Sequence, residues 1–301
     1  MSLPQPQPIP TPHGARLVTD LTRWQHGKGY WRPSRGVRLP LAEHGFLARC
    51  EAINIVTQRT VVFSGLSAIR LWDGVEDRED DIEVTVGADD PLMVRPEVRC
   101  RRRELEQRDV TGLHGLAVTT PQRTFVDAAS RLKLPRLVAV GDDFLRRALC
   151  SESDIAEVLD RSRGQRGVRR ARQALALLDP RAESPRESVL RVMLLEMGFP
   201  APTPQVDIVD EKGQFIARVD LAYVKERIII EYDGEHHLTR ETQAKDAARR
   251  GKLAVNDWLI VTIVGEDITH PSLLRAKVNA AFRSRSHPPR VGVGGGISGV
   301  F

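Results

Sequence analysis

The sequence is poor in cysteine, in aromatic residues and in long apolar runs. Its three cysteines, Cys50, Cys100 and Cys150, lie far apart in a chain of 301 residues. An odd, dispersed set builds neither a disulfide framework nor a zinc site, and it suits a reducing cytoplasm, the compartment expected here. No run approaches the roughly 18 apolar residues that a membrane span needs. The N-terminus lacks the basic-then-apolar order of a secretory signal, so no membrane partner is expected. Aromatics are only 5% of the chain, and the formal net charge is +5. That mild basic balance permits a nucleic-acid partner without demanding one. Hydrophobic content of 41% is ordinary for a globular chain of two domains.

What is present divides the chain. Residues 1–25 form a lead rich in proline (PQPQPIPTP) that reads as disordered. From Arg16 to Leu41 the aromatics Trp24, Tyr30 and Trp31 stand among basic residues. They either pack on the next domain or belong to a nucleic-acid surface. Residues 26–180 read as one mixed α/β domain. Its strands are expected at Thr60–Phe63, Ile82–Val86, Glu97–Arg103 and Leu116–Thr119, and Thr120-Pro121 opens a helix. Residues 179–184 (DPRAES) form the boundary, 181–285 a second domain, and 286–301 a glycine-rich tail.

The most informative stretch is Phe215–His237, FIARVDLAYVKERIIIEYDGEHH. Two runs of β-branched and aromatic residues flank the charged pair Lys225-Glu226, which predicts a β-hairpin. Glu231 and Asp233, two apart on one strand, share a face, and an antiparallel partner brings Asp220 alongside. Acids that follow Ile228-Ile229-Ile230 into a buried strand are costly unless paired or bound to a cation, and converging carboxylates suit Mg²⁺ or Mn²⁺. Upstream, Ser184-Pro185-Arg186-Glu187 has the form of a helix capping box. Downstream come a helix from about Thr239, a strand at Trp258–Val264 and a last helix, giving the order αβββαβα.

Residues 182–282, through VDLAY, IIIEYDGEHH, KDAARRGKL and WLIVTI, resemble the DUF559 and very-short-patch-repair branch of the PD-(D/E)XK nucleases. The resemblance implies a DNA endonuclease that uses Mg²⁺ or Mn²⁺. Asp220, Glu231 and Asp233 would be its metal ligands, and Glu187 would reach the site from the first helix. Where the family carries E-x-K, this chain has Glu231-Tyr232-Asp233, so the resemblance leaves proton transfer to His236 or His237. It places Asp246-x-x-Arg249 beside the site, with Lys245, Arg249 and Arg250 facing phosphate.

The earlier set VVFSGLSAIRLWDG, IEVTVG, VRCRRREL, DVTGLHGLAVTTPQRTFVDAA and VGDDFLRRAL resembles the C-terminal domain of AbiEi-type antitoxins over about residues 42–160. That implies a toxin–antitoxin context and a cognate toxin. WRPSRGVRLP resembles the last strand of a winged helix, whose DNA-reading helix is absent here. The segment Arg161–Arg172 holds six arginines. These are either a solvated helix face or a phosphate-contacting patch in which Arg166, Arg169 and Arg170 meet DNA. Two functions follow: a metal-dependent DNA endonuclease, or a non-catalytic DNA-binding regulator or antitoxin on a degenerate nuclease fold.

Overall fold

Alternating β-branched residues and well-placed turns set the strands of both halves. The computed structural model describes residues 16–17, 30–41, 45–57, 61–74, 81–233 and 240–286. The chain is mixed α/β and divides into two units, residues 1–180 and 181–301.

The first unit begins with a small antiparallel sheet of β1 (Arg16–Leu17), β2 (Tyr30–Ser34) and β3 (Val37–Pro40), in the order β1-β3-β2. WRPSRGVRLP is therefore a hairpin and not one strand. It reverses at Arg35-Gly36, where Gly36 has φ +95°, a conformation that a residue without Cβ adopts at little cost. Val37 and Leu39 are buried against Ala48 and Ala52 of α1 (Phe46–Val56).

Next come β4 (Val62–Phe63), α2 (Gly65–Leu71), β5 (Ile82–Val86), β6 (Val98–Arg102), β7 (Val110–Leu113) and β8 (Leu116–Thr119). The five strands form one sheet in the order β6-β5-β4-β8-β7. Pairs β4–β8 and β5–β6 are parallel, and the other two are antiparallel. Phe63, Ile82, Val84, Leu116 and Val118 join Cys50, Ile53 and Leu71 in its core. Helices α3 (Pro121–Ala128), α4 (Leu134–Arg146), α5 (Glu152–Arg161) and α6 (Val168–Leu175) complete the unit. Ser151 caps α5 with its side chain, whereas Thr120 makes no side-chain cap for α3.

The second unit runs α7 (Pro185–Glu196), β9 (Thr203–Val209), β10 (Phe215–Tyr223), β11 (Ile228–Tyr232), α8 (Arg240–Val255), β12 (Leu259–Ile263), α9 (Gly265–Thr269) and α10 (Pro271–Ser286). This is the expected αβββαβα order, with one short extra helix. The sheet order is β12-β11-β10-β9, with β11–β12 parallel and the rest antiparallel. Leu221, Tyr223, Ile228 and Ile230 pack with Leu190, Leu194, Leu274 and Val278. Ala222 and Ile229 pack with Leu253. Helices thus cover both faces of this sheet, which is why its strands read as nearly continuous apolar runs.

Candidate functional site

The β10–β11 hairpin fixes the centre of the site. Leu221 pairs with Ile230, so the next step along the ladder sets Asp220 opposite Glu231. Glu231 is 9% exposed, and Asp220 is half-buried. An Oδ2 of Asp220 accepts a hydrogen bond from the Tyr232 amide at 3.3 Å. Burial and the Glu187 carboxylate push the Asp220 carboxyl up to about 6, with Glu231 adding to the effect; the Tyr232 amide and Arg249 oppose it. A carboxyl held near neutrality by like charges and desolvation belongs to a concentrated acid cluster.

Glu187 reaches this cluster from the start of α7. Ser184 Oγ accepts from the Glu187 amide at 3.3 Å, so the helix is capped as the sequence predicts. The Glu187 carboxylate does not complete the box on Ser184. It accepts from the Glu183 amide at 3.1 Å and from Gln205 Nε2 at 2.8 Å. Gln205 stands on β9 with φ +51°, a left-handed conformation unusual for a non-glycine residue and typical of constrained sites. No sequence pattern pointed to Gln205; only the structure joins it to Glu187. Arg186 lies over the Tyr232 ring, 4.8 Å from its centroid, and also went unnoticed in the sequence.

The basic side of the site comes from α8. Ile229 and Glu231 share the face towards α8, where Leu253 meets the first and Arg249 the second. Arg249 grips both Glu231 oxygens, at 2.8 and 2.9 Å, a bidentate pair that suits the planar guanidinium. It also reaches Asp246 Oδ1 at 3.2 Å, and Arg250 holds Asp246 Oδ2 at 2.8 Å. Glu231 and Asp246 thereby hold the Arg249 guanidinium well above its usual range, against the effect of burial. Lys245 is exposed on the same helix.

Asp233 is exposed just past β11, its amide bonded to Ile263 O at 2.8 Å. His236 and His237 lie outside the described residues. Among the described residues no three of His, Cys, Asp and Glu are grouped to hold a metal ion. Asp220 and Glu187 offer carboxylate oxygens, but both oxygens of Glu231 are committed to Arg249. A divalent cation bound through Glu231 would have to take the place of Arg249.

The arginines of the first unit divide between side chains that hold the fold together and side chains left exposed. Arg99 pairs with Asp81 at 2.7 Å, and Arg103 with Asp127. Buried Glu83 takes Arg131 at 2.7 Å and Arg101 at 3.5 Å. Arg102 Nε donates to Asp90 O at 2.8 Å. Of the segment Arg161–Arg172, Arg161 forks onto buried Asp109 at 2.7 and 3.0 Å. Arg170 donates to Ala129 O and Leu132 O, capping the chain that leaves α3. Arg163, Arg166 and Arg169 remain exposed.

Comparison with known proteins bears on the first unit. Residues 44–178 match the AbiEi antitoxin C-terminal domain. The uncharacterized proteins MT2308 and Rv2248, from two strains of Mycobacterium tuberculosis, are 33% identical over 203 residues. Each alignment covers 66% of this chain and 74% of the relative. The chain carries an AbiEi antitoxin C-terminal domain. The AbiEi domain spans α1 through α6, so the five-stranded sheet and its helices make up the body of the match. Among solved structures, the RV2827C protein of Mycobacterium tuberculosis is similar with a TM-score of 0.36 and 15% identity, over 60% of this chain and 68% of that one. Among the described residues, no helix is long and apolar enough to cross a membrane.

Proposed function

We propose that this chain is an antitoxin-type regulator that binds DNA and counteracts a cognate toxin. One observation carries the reading: the AbiEi domain of residues 44–178, complete from its sheet to its last helix. The second unit acts as a nucleic-acid-binding module of nuclease-like form. The commitment of Glu231 to Arg249 supports this, because a guanidinium seated on the acid replaces the charge a cation would bring. The test is co-expression with a nucleotidyltransferase-like toxin. Restored growth supports the reading. Unrelieved toxicity, with no shift of promoter DNA by the purified protein, overturns it.

A second reading is a Mg²⁺- or Mn²⁺-dependent DNA endonuclease. It is favoured by the acid cluster, in which Asp220 lies opposite Glu231 and is raised to about 6 beside Glu187. Plasmid and single-stranded DNA incubated with either ion test it. Cleavage that disappears in Asp220→Ala establishes an enzyme; intact DNA under all conditions leaves the regulator.

A further inference from the structure

The β2–β3 hairpin borders a cleft of about 800 Å³, closed on its other side by the segment Val94–Glu97. The segment is tied to the hairpin. Arg95 Nη1 donates to Ser34 Oγ at 2.6 Å and to Arg35 O at 2.8 Å. Arg95 thereby places its own charge in the cleft wall beside Arg32 and Arg35. Those two arginines are exposed and form no ion pair among the described residues. They stand apart from Arg99, Arg101, Arg103 and Arg161, each of which neutralises an acid of its own unit.

The cleft also contains an acceptor. Glu97 lines it, and its Oε1 is buried without a hydrogen-bond partner. A buried carboxylate oxygen without a donor is costly, so it favours a ligand that brings an N–H group. Inorganic phosphate near neutral pH carries a hydroxyl donor, but its negative charge repels the carboxylate. A nucleotide strand brings phosphates for the arginines and exocyclic amino groups for the carboxylate, the pairing that Glu makes with cytosine. Val94, 94% exposed at the rim, offers an apolar surface to sugar or base.

We infer that this cleft binds a nucleic-acid strand, with Arg32 and Arg35 on its phosphates and Glu97 on a base amino group. The inference rests on the DNA-binding part of the proposed function and gives it a location in the first unit.

The test is fluorescence anisotropy of the full-length protein on labelled oligo-dC and oligo-dT, across a salt series. Both arginines are exposed, so Arg32→Ala/Arg35→Ala is expected to fold, and its melting temperature checks that. The double variant should bind about tenfold more weakly, and its salt slope should fall by roughly 1 to 2, because each arginine neutralises one phosphate. Glu97→Gln should reduce a preference for oligo-dC over oligo-dT, since thymine presents no amino group. A folded double variant with wild-type affinity and slope overturns the cleft. Displacement of the oligonucleotide by inorganic phosphate in proportion to site occupancy, with no loss in Glu97→Gln, overturns the strand and leaves a small-anion site. A wild type that binds no oligonucleotide refutes the DNA-binding reading itself, an outcome distinct from either.

Discussion

Asp220→Asn should make the second unit more stable at neutral pH. An unfolded aspartate titrates near 3.9, whereas burial and the Glu187 charge raise Asp220 to about 6 in the folded chain. Between those values the folded state holds the proton more tightly than the unfolded state. Stability from this group is therefore fully present below about pH 4 and is lost as pH rises through about 6. Each pH unit of displacement is worth about 1.4 kcal/mol, which sets a ceiling near 3 kcal/mol. Asp220 keeps partial solvent contact, so screening reduces the figure to roughly 1–2 kcal/mol. Asparagine removes the charge and still offers an oxygen to the Tyr232 amide. The assay is urea denaturation followed by Trp258 fluorescence, in a chain whose other three tryptophans, Trp24, Trp31 and Trp72, are phenylalanine. Asp220→Asn should unfold at higher urea than its parent at pH 8 and should lose the parent's decline between pH 4 and 6. Equal or lower stability at pH 8, or an unchanged decline, would refute the argument that like charge and burial strain this site.

Three further outcomes follow from particular contacts. Arg249→Ala leaves Glu231 with 12% of its side chain exposed and no cation opposite. It should lower stability by roughly 2–3 kcal/mol, and adding Glu231→Gln should recover most of that, as a double-mutant cycle in urea would show. Arg170→Ala deletes two hydrogen bonds to Ala129 O and Leu132 O. It should cost roughly 1–2 kcal/mol in thermal melting yet leave DNA affinity unchanged by anisotropy, because this arginine serves the fold. Gly167→Ala meets both a φ of +94° and backbone crowding, its new Cβ lying 2.6 Å from Ser130 N. A melting-temperature loss corresponding to at least about 1 kcal/mol is expected.

The second unit was legible because its signals are local. Ile228-Ile229-Ile230 can hardly be anything but a buried strand, and the short charged turn fixes its pairing with Phe215–Tyr223. Once that hairpin is granted, the Asp220–Glu231 juxtaposition follows from its length. The side-chain partners were not legible, because they are set by packing between elements. Glu231 is claimed by Arg249, eighteen positions later in sequence and on a helix. Glu187 is oriented by Gln205, whose left-handed backbone no propensity would assign to a strand. In the first unit, β7 was missed because Val110–Leu113 carries a glycine and a threonine and runs straight into the His114-Gly115 turn. WRPSRGVRLP looked like one strand because its turn uses only Arg35-Gly36, flanked on both sides by extended residues.

The arginines show why charge counted along a sequence is a poor guide to an interface. Asp109, 1% exposed, receives Arg123 and Arg161. Its burial opposes ionisation, yet the Arg161 fork and the Arg123 charge hold its carboxyl below the usual carboxylate range. Asp127, 4% exposed, receives Arg103 and Arg123, and Glu83, 2% exposed, receives Arg101 and Arg131. Each acid lies on a different segment from at least one of its arginines, so these pairs tie strands, helices and their connections together within the AbiEi domain. A guanidinium suits this task better than an ammonium, because its fixed fork reaches two acceptors at once. An arginine bound in this way has already given up its hydration and its counter-charge, so it has little left to offer a phosphate. Counterion release rewards only cations that are still free to neutralise DNA. On that criterion Arg101, Arg103 and Arg161 drop out, whereas Arg163, Arg166 and Arg169 stay exposed. The sparser Arg32 and Arg35, which no density of charge would have singled out, join those three as places to look for the nucleic acid.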